Sequence, residues 1–320
     1  MISKKALVVG VNYYDKFNGL SGCVKDANAV ASALEHNDDD KSLNFSINRI
    51  IATNSGSILR KKALEDSVKA LFEDDVDVAL FYFSGHGFIK PSGGYLVTSE
   101  CKVGDEGLSL SELLYYANES PADNKIIILD CCHSGKLGLD IHANDIAKLS
   151  EGLTILCSSA EDEVSVEKYG RGVFTSLLVD ALEGSAADIL GNIFLENLYA
   201  NISPALSIWE QTPVCRISIN GLTLIKKTKP AITIADLRKI AELFNDTDDE
   251  HQLDPSYEPE SNMPNLVNTK KFGVLQKYNR LNLVVPIEAP HMYHAAIWSK
   301  SCVLTPLGRY YWKLVSNKKI

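Results

Sequence analysis

The stretch that decides the fold runs from Asp77 to Gly87 and reads Asp-Val-Ala-Leu-Phe-Tyr-Phe-Ser-Gly-His-Gly. Its centre is continuously apolar rather than alternating, which is typical of a strand buried on both faces. A histidine between two glycines follows where that strand should end. The same arrangement recurs at Lys125 to Gly135, where an apolar run ends in Asp-Cys-Cys-His-Ser-Gly. Two polar clusters at strand ends therefore mark the candidate site.

Four more apolar runs predict further strands, and amphipathic segments of helical length lie between most of them. The strand runs are Lys5 to Gly10, Asn48 to Thr53, Leu153 to Ser158 and Val214 to Ile219. The helical segments are Val24 to His36, Ser57 to Phe72, Leu110 to Asn118 and Val173 to Glu183. This alternation predicts an α/β fold, a mainly parallel six-stranded sheet with helices on both faces. In such folds the ligand site lies beyond the carboxyl ends of the strands.

Composition excludes several classes of protein. The 320 residues are 45% hydrophobic and 23% charged with a net charge of −9, which is typical of a globular chain of about two domains. No apolar run approaches the roughly 18 residues of a membrane span. The seven cysteines are odd in number and lack Cys-x-x-Cys spacing, so neither a disulfide framework nor a metal site is expected. We expect a cytoplasmic protein with no membrane association.

The chain divides by composition into residues 1–222, a linker at 223–232 and an accessory domain at 233–320. The basic run Lys226 to Pro230 marks the boundary. Beyond it we expect a helix at Thr233 to Phe244, an acidic loop at about 246–262, and a helix at Lys271 to Leu281. Strands at Leu283 to Ile287 and Met292 to Ile297 and a helix from Thr305 complete a small α+β, winged-helix-like domain. Residues 261–320 hold nine Lys or Arg residues and one acid.

The two clusters together have the chemistry of a cysteine nucleophile. A thiol needs a base to become a reactive thiolate, and His86 and Cys132 are separated by 46 residues, close to the spacing typical of caspases. The N–H groups of Gly87 and Cys132 could then bind the oxyanion. Taken singly, each cluster has an ordinary alternative: Gly-His-Gly as a tight turn, and a buried cysteine as a small apolar residue.

At these motifs the chain resembles the metacaspases, cysteine peptidases of the caspase clan, in their prokaryotic type. Further matches are Leu20 to Ala27, Ser158 to Ala160, Gly172 to Thr175 and Gln211 to Pro213. The resemblance implies a caspase-like fold over residues 1–222, with Cys132 as nucleophile and His86 as general acid and base. The family pattern Asp-x-Cys-x-Ser-Gly leaves Cys131 at a variable position, as a packing residue.

The resemblance also implies a substrate pocket. In metacaspases this pocket is acidic and takes Arg or Lys, and its lining falls here on Cys23, Asp26, Ser84 and Asp130. Two carboxylates in a partly desolvated pocket favour a cation. The residues themselves leave simpler roles open: Asp26 as a solvated helix residue, and Asp130 as a strand-end carboxylate accepting backbone N–H groups.

Calcium dependence is doubtful, and no cofactor is expected. Many metacaspases bind calcium through aspartates that include a pair before a Glu-Leu. The corresponding stretch here is Leu108 to Leu113, with Leu110 and Ser111 in place of the pair. Nearby acids are scattered, at Glu100, Asp105 and Glu106, whereas calcium needs several oxygen ligands.

The function predicted from sequence is a cysteine endopeptidase that cleaves proteins after Arg or Lys through a Cys-His dyad. Residues 233–320 would bind an activating or inhibitory protein, while nucleic acid is a less favoured partner despite the basic charge. Basic positions in loops, such as Lys136, Lys148 or Lys226 to Lys229, could be sites of self-cleavage. The alternative is a catalytically silent caspase-fold scaffold or DNA-binding regulator.

Overall fold

The structure is a computed structural model that describes residues 3–91, 93–103, 107–131, 150–158, 167–168, 171–207, 213–218 and 221–320. Its chain divides into two compact units. The first is Met1–Ala187 with Gly191–Lys229, and the second is Asp188–Leu190 with Pro230–Ile320. The boundary predicted at residue 222 therefore lies inside the first unit.

The first unit is built on one six-stranded sheet. Its strands are β1 Lys4–Val11, β2 Ser46–Ala52, β3 Val78–Ser84, β7 Asn124–Asp130, β8 Leu153–Cys157 and β12 Val214–Ser218. Their order is β12-β8-β7-β3-β1-β2, and all neighbours are parallel except the edge strand β12, which is antiparallel to β8. The predicted fold class is confirmed, and each strand begins and ends within two residues of its predicted run.

Short strands lie outside the main sheet. They are β4 Gly87–Lys90, β5 Gly93–Leu96, β6 Leu108–Ser109, β9 Glu167–Lys168, β10 Arg171–Gly172, β11 Asn192–Phe194 and β13 Leu224–Lys227. β4, β5 and β6 form a small antiparallel sheet directly after β3. The chain therefore turns sharply at Gly85 and His86, between the core strand β3 and this smaller sheet.

Helices cover both faces of the main sheet. The α-helices in the described part of the first unit are α1 Cys23–Glu35, α2 Lys61–Glu73, α3 Leu110–Asn118, α4 Val173–Asp180 and α5 Leu195–Ser207, and a π-helical turn, Ala181–Ser185, follows α4. Alternate residues of β3 face opposite cores: Phe83 packs with α2 and α3, and Tyr82 packs with α1, α4 and α5. This two-sided burial explains why the strand runs are continuously apolar.

Two helix predictions need correction. The helix expected from Ser57 begins only at Lys61, because the Ser57 hydroxyl accepts the N–H groups of Thr53 and Asn54 and closes a turn there. Helix α5 was not predicted, although its buried residues Leu195, Leu198, Ile202 and Leu206 have helical spacing.

The linker predicted at 223–232 is also wrong, because it contains strand β13, which pairs with β11. Lys226 is only 2% exposed, and its Nζ lies 2.6 Å from Asp38 Oδ2. Nearby, the buried Lys4 Nζ donates to the carbonyl of Ile225 at 2.9 Å. Lysine in a buried strand escapes a composition argument because its charge is paired and its stem packs. Lys226 is thus not the exposed site that self-cleavage would need.

The second unit has its own apolar core and a three-stranded antiparallel sheet of order β14-β16-β15. Its elements are α6 Ile234–Arg238, α7 Ile240–Leu243, β14 Glu250–Gln252, a 3-10 turn Pro255–Tyr257, α8 Leu266–Arg280, β15 Val284–Pro286, α9 Met292–Ile297, β16 Ser301–Leu304 and α10 Pro306–Ser316. No helix among the described residues of either unit is long and apolar enough to cross a membrane.

Several expectations for this unit are wrong in detail. Met292–Ile297 is a helix rather than a strand, because Met292, Ala295 and Ala296 are buried at helical spacing. Strand β15, which corresponds to the expected strand at Leu283 to Ile287, therefore has no partner there and pairs instead with β16. The segment predicted as an acidic loop, 246–262, contains β14 and the 3-10 turn. The helix expected from Thr233 divides at Lys239, although Thr233 caps it as predicted.

Candidate active site

Adjacent strand ends bring the predicted site residues together. In the sheet register, Gly10 of β1 is opposite Ser84 of β3, and Ser84 is opposite Asp130 of β7. Ser84 is 1% exposed and Asp130 is 5% exposed. Both lie on the Tyr82 face of the sheet, because side chains alternate along a strand. The carboxyl edge of the sheet therefore carries a buried polar group, as the sequence predicted.

Helix α1 supplies Cys23 and Asp26 to the same place. It approaches β1 closely because Gly10 has no side chain: a Cβ there would lie 2.6 Å from the Cys23 carbonyl oxygen and 2.7 Å from Ala27 Cβ. Cys23 and Asp26 are both buried, at 6% and 2% exposure. Asp26 is therefore not the solvated helix residue of the simpler interpretation.

Gly172, just before α4, lies against both carboxylates. Its N–H donates to Asp26 Oδ2 at 3.0 Å. A Cβ on Gly172 would lie 3.2 Å from that oxygen and 2.7 Å from Asp130 Oδ2. The two carboxylate oxygens are consequently within about 6 Å of each other, a separation at which charged groups interact strongly when buried. They form an acidic pair.

Hydrogen bonds hold the second carboxylate in place. Thr175 Oγ1 donates to Asp130 Oδ2 at 2.5 Å, and it lies 2.6 Å from the hydroxyl of the fully buried Tyr82. Burial, followed by the charges of Asp130 and Asp26, raises the pKa of Tyr82 well above its usual value. The tyrosine therefore stays neutral beside the acidic pair.

A cation of the chain itself lies beside the acidic pair. Arg171 Nε is 3.9 Å from Asp26 Oδ1, a loose contact compared with a hydrogen-bonded ion pair. The Arg171 side chain is 40% exposed, whereas that of Asp26 is 3% exposed. The Arg171 side chain therefore reaches the acidic pair from the solvent side.

His86 is held by groups that no sequence motif indicates. Its Nε2 lies 2.8 Å from the carbonyl oxygen of Asn18, and its ring lies 4.7 Å, centroid to centroid, from Tyr14 and 6.2 Å from Phe17. A carbonyl oxygen can only accept, so Nε2 carries a proton. In neutral His86 the basic nitrogen is therefore Nδ1.

Gly87 begins β4 with its N–H directed away from β5. The Val97 N–H donates to the His86 carbonyl at 3.0 Å, so His86 and Val97 occupy a hydrogen-bonded position of the antiparallel ladder. Positions alternate in such a ladder, which makes the next pair, Gly87 and Leu96, a non-hydrogen-bonded one. The Gly87 N–H thus points out of the β4–β5 ladder.

Cys131 is 1% exposed and packs in the core on the Phe83 face, opposite Asp130. This agrees with its predicted packing role. Cys132, the predicted nucleophile and oxyanion donor, lies outside the described residues, as do Lys136 and Lys148.

Acids near the expected calcium loop have local partners. Glu112 and Ser109 form a reciprocal capping box at the start of α3, and Glu100 Oε1 accepts the Lys61 N–H at the start of α2. Asp105 and Glu106 fall outside the described residues. Among the residues that are described, no group of three or more His, Cys, Asp or Glu side chains could hold a metal ion.

Two solved structures are similar in fold. Caspase-1 from Spodoptera frugiperda has a TM-score of 0.54 and 15% identity, with 71% of this chain and 91% of that chain covered. A protein from Geobacter sulfurreducens has a TM-score of 0.50 and 16% identity, with 71% of this chain and 98% of that chain covered. The fold is therefore of the caspase class, as the resemblance implied.

The sequence defines the family within that class. The caspase domain model of peptidase family C14 matches residues 3–242, so the chain belongs to this family of cysteine peptidases. Metacaspase-1 of Schizosaccharomyces pombe is 30% identical over 86 residues, which are 26% of this chain and 20% of that protein. The chain thus matches only a fifth of the length of this relative. The resemblance to metacaspases is confirmed.

Proposed function

We propose that the protein is a cysteine endopeptidase that cleaves proteins after Arg or Lys. The observation that carries the proposal is the buried acidic pair, Asp26 and Asp130, at the strand edge from which His86 follows. The Gly85 N–H lies 3.4 Å from the Asp130 carbonyl oxygen, so the histidine turn and the acidic pair are joined through adjacent strands. Family membership supports the chemistry, and the acidic pair supports the preference.

The proposed nucleophile is Cys132. Nδ1 of His86 takes the proton of the Cys132 thiol as the sulfur attacks the scissile carbonyl, and then gives it to the leaving amine as the acyl-enzyme forms. Water next attacks the acyl carbon while His86 takes its proton; the C–S bond then breaks, the carboxylic acid product leaves, and His86 returns the proton to the Cys132 sulfur. Asn18 supports this role, because its carbonyl holds Nε2 in the donor form and leaves Nδ1 as the basic nitrogen.

The N–H groups of Gly87 and Cys132 are proposed to bind the oxyanion of the tetrahedral intermediate. Their contribution requires donors already oriented before the reaction. The non-hydrogen-bonded ladder position of Gly87 supports this role, since its N–H is not directed at β5.

The substrate's Arg or Lys side chain is proposed to enter a pocket lined by Cys23, Ser84, Asp26 and Asp130. All four side chains are buried, and burial strengthens the attraction of a cation to the carboxylates. An aspartate side chain would instead be repelled there. The proposed preference is thus opposite to that for an acidic residue.

We propose that activity needs no cofactor or calcium, because Glu100 and Glu112 serve as helix caps. A reducing compartment such as the cytoplasm suits the six described cysteines, which are all free thiols.

We propose that residues 233–320 bind a regulatory protein. Exposed apolar residues in this unit, such as Met263, Leu266 and Trp298, support a protein partner over nucleic acid.

The test is hydrolysis of fluorogenic peptides ending in Arg, Lys or Asp. Wild type should cleave the Arg and Lys peptides, with and without a calcium chelator, while Cys132→Ala and His86→Ala should lose activity. Cys131→Ala is the matched control and should retain it. Equal rates for Cys132→Ala and wild type would refute the nucleophile. Absence of cleavage by wild type, with binding of Arg peptides retained, would favour the silent scaffold.

A further inference from the structure

The turn that carries His86 is closed by a tyrosine from another strand end. Tyr14 Oη accepts the His86 N–H at 2.7 Å, and the two rings are tilted by 48° at 4.7 Å. Tyr14 is only 5% exposed. The hydroxyl fills the space beside Gly85, where a Cβ would lie 2.7 Å from Tyr14 Oη. Gly85 is thus required for this contact.

Three polar groups of His86 have described partners, and all three partners lie outside the turn at Gly85 to Gly87. The N–H donates to Tyr14, the carbonyl accepts from Val97 at 3.0 Å, and Nε2 donates to the Asn18 carbonyl at 2.8 Å. Two of these three partners, Tyr14 and Asn18, come from the segment that follows β1. We call residues 12–22 the clamp loop.

The clamp loop is closed on itself by one side chain. Asn12 Oδ1 accepts the Val24 N–H at 3.0 Å, and Asn12 Nδ2 donates to the Ser21 carbonyl at 3.3 Å. The Asn12 carbonyl also accepts the Leu20 N–H at 2.9 Å. The loop therefore has fixed ends, and α1, with Cys23 and Asp26, begins directly after it.

Tyr14 cannot act as an acid or base in this position. Burial raises the pKa of Tyr14 well above its usual value, although the His86 N–H donor acts in the opposite direction. Its hydroxyl therefore stays neutral over any working pH. A neutral acceptor on a main-chain N–H orients a residue without taking part in proton transfer.

We propose that Tyr14 is a positioning residue for His86, and that the clamp loop fixes the turn and the ring so that Nε2 stays on the Asn18 carbonyl and Nδ1 remains the basic nitrogen. This inference rests on the proposed function, in which Nδ1 receives the thiol proton. Without the Tyr14 hydroxyl, the His86 N–H loses its acceptor and the turn gains freedom. The proton transfer should then slow, while the acidic pair still binds substrate.

The experiment compares Tyr14→Phe with wild type on an Arg-ended fluorogenic peptide. Losing one hydrogen bond to a partly buried N–H predicts a fall in kcat of about tenfold, with KM changed by less than about twofold. Tyr115→Phe, the same chemical change at an exposed tyrosine of α3 outside the clamp loop, is the matched control and should keep wild-type kcat. Melting temperatures of the variants report on folding.

A second measurement reports directly which tautomer the His86 imidazole adopts. Proton–nitrogen correlation spectra of histidine-labelled protein, with His86 assigned by His86→Asn, should show the Nε2-protonated tautomer in wild type. In Tyr14→Phe we expect a mixture of tautomers, whereas Tyr115→Phe should match wild type. A tyrosine that only stabilised the fold would leave the tautomer unchanged.

Gly85→Ala tests the same contact from the other side, and its effect in the wild-type background needs no change at Tyr14. Its methyl would lie 2.7 Å from Tyr14 Oη and 2.9 Å from the Phe83 ring. kcat should therefore fall in the wild-type background, and fall less in the Tyr14→Phe background, where only the Phe83 contact remains. Equal falls in both backgrounds would overturn the inference. So would a Tyr14→Phe enzyme with unchanged kcat and tautomer, or one changed in KM alone. If His86→Ala itself kept wild-type activity, the proposed function would fail instead.

Discussion

Gly172→Ala is the sharpest steric test of the acidic pocket. The added methyl would lie 2.7 Å from Asp130 Oδ2 and 3.2 Å from Asp26 Oδ2. The backbone accepts alanine without strain, since Gly172 has φ −66° and ψ 134°. The substitution therefore acts on the two carboxylates rather than on the chain conformation.

The size of the expected fall in kcat/KM follows from the close contact that the added methyl would make with Asp130. Ordinary van der Waals contact begins at 3.4 Å, but Asp130 Oδ2 cannot retreat freely because Thr175 Oγ1 holds it at 2.5 Å. Overpacking of this kind costs about 1–3 kcal/mol. If that energy is lost from the binding of the cationic side chain, kcat/KM for an Arg peptide falls by about 5- to 160-fold. The change should lie mainly in KM, since His86 is not touched.

The assay is initial-rate kinetics on Arg-ended and Lys-ended fluorogenic peptides, with Tm measured for each variant. Gly221→Ala is the matched control, because a Cβ at Gly221 meets nothing within 4 Å. It should keep the kcat/KM and Tm of wild type. A Gly172→Ala enzyme with wild-type kcat/KM and Tm would refute the pocket, because its two carboxylates would then have no part in substrate binding.

Three further predictions concern charges. Asp130→Asn should raise KM for Arg peptides by about tenfold or more, since it removes one buried carboxylate from the pocket; an unchanged KM in the same kinetic assay would contradict this. Arg171→Gln should lower KM for Arg peptides, because it removes the cation that lies 3.9 Å from Asp26 Oδ1, and a raised KM would mean that Arg171 positions Asp26 instead. Two lysines lower the pKa of Asp236 to about 2, so its ion pairs stabilise the second unit above the unfolded pKa near 3.8 and are lost as pH falls towards 2. Asp236→Asn should therefore lower stability by about 1 kcal/mol at neutral pH and by clearly less near pH 2, where the folded carboxylate is about half protonated; denaturant titrations at both pH values would show this, and an equal loss at both would contradict the ion-pair account.

The main sheet could be predicted because its strands are buried on both faces. That environment leaves a continuous apolar run in sequence, as in Val78–Ser84, and the run ends where the strand ends. The polar clusters after these runs then identify the edge that carries Ser84 and Asp130. The acidic pair followed from the resemblance, and its burial required the structure.

The groups around His86 could not be predicted in the same way. The Asn18 carbonyl is a main-chain group, and any residue at that position could supply it. Tyr14 reads as an ordinary aromatic residue after a strand. Only the return of the clamp loop to the end of β3 brings them to the histidine, and that return is a tertiary event without a local sequence pattern.

Errors in the second unit and in β13 have a different cause. The basic, proline-containing run at Lys226 predicts a linker, yet Asp38 pairs with Lys226 in a buried strand. Met292–Ile297 is a short apolar run, which is equally compatible with strand and helix until its neighbours are known. In both cases tertiary contacts decided the outcome over local preference.

Covalent labelling tests most directly whether Cys132 is the nucleophile and whether the acidic pocket selects the substrate side chain. Full-length protein incubated with a peptide chloromethyl ketone ending in Arg should gain one label, which peptide mapping should locate at Cys132. Labelling should be slower in His86→Ala and in Asp26→Asn, and a reagent ending in Asp should react poorly. Labelling elsewhere in the chain, or faster labelling by the Asp reagent, would contradict the account.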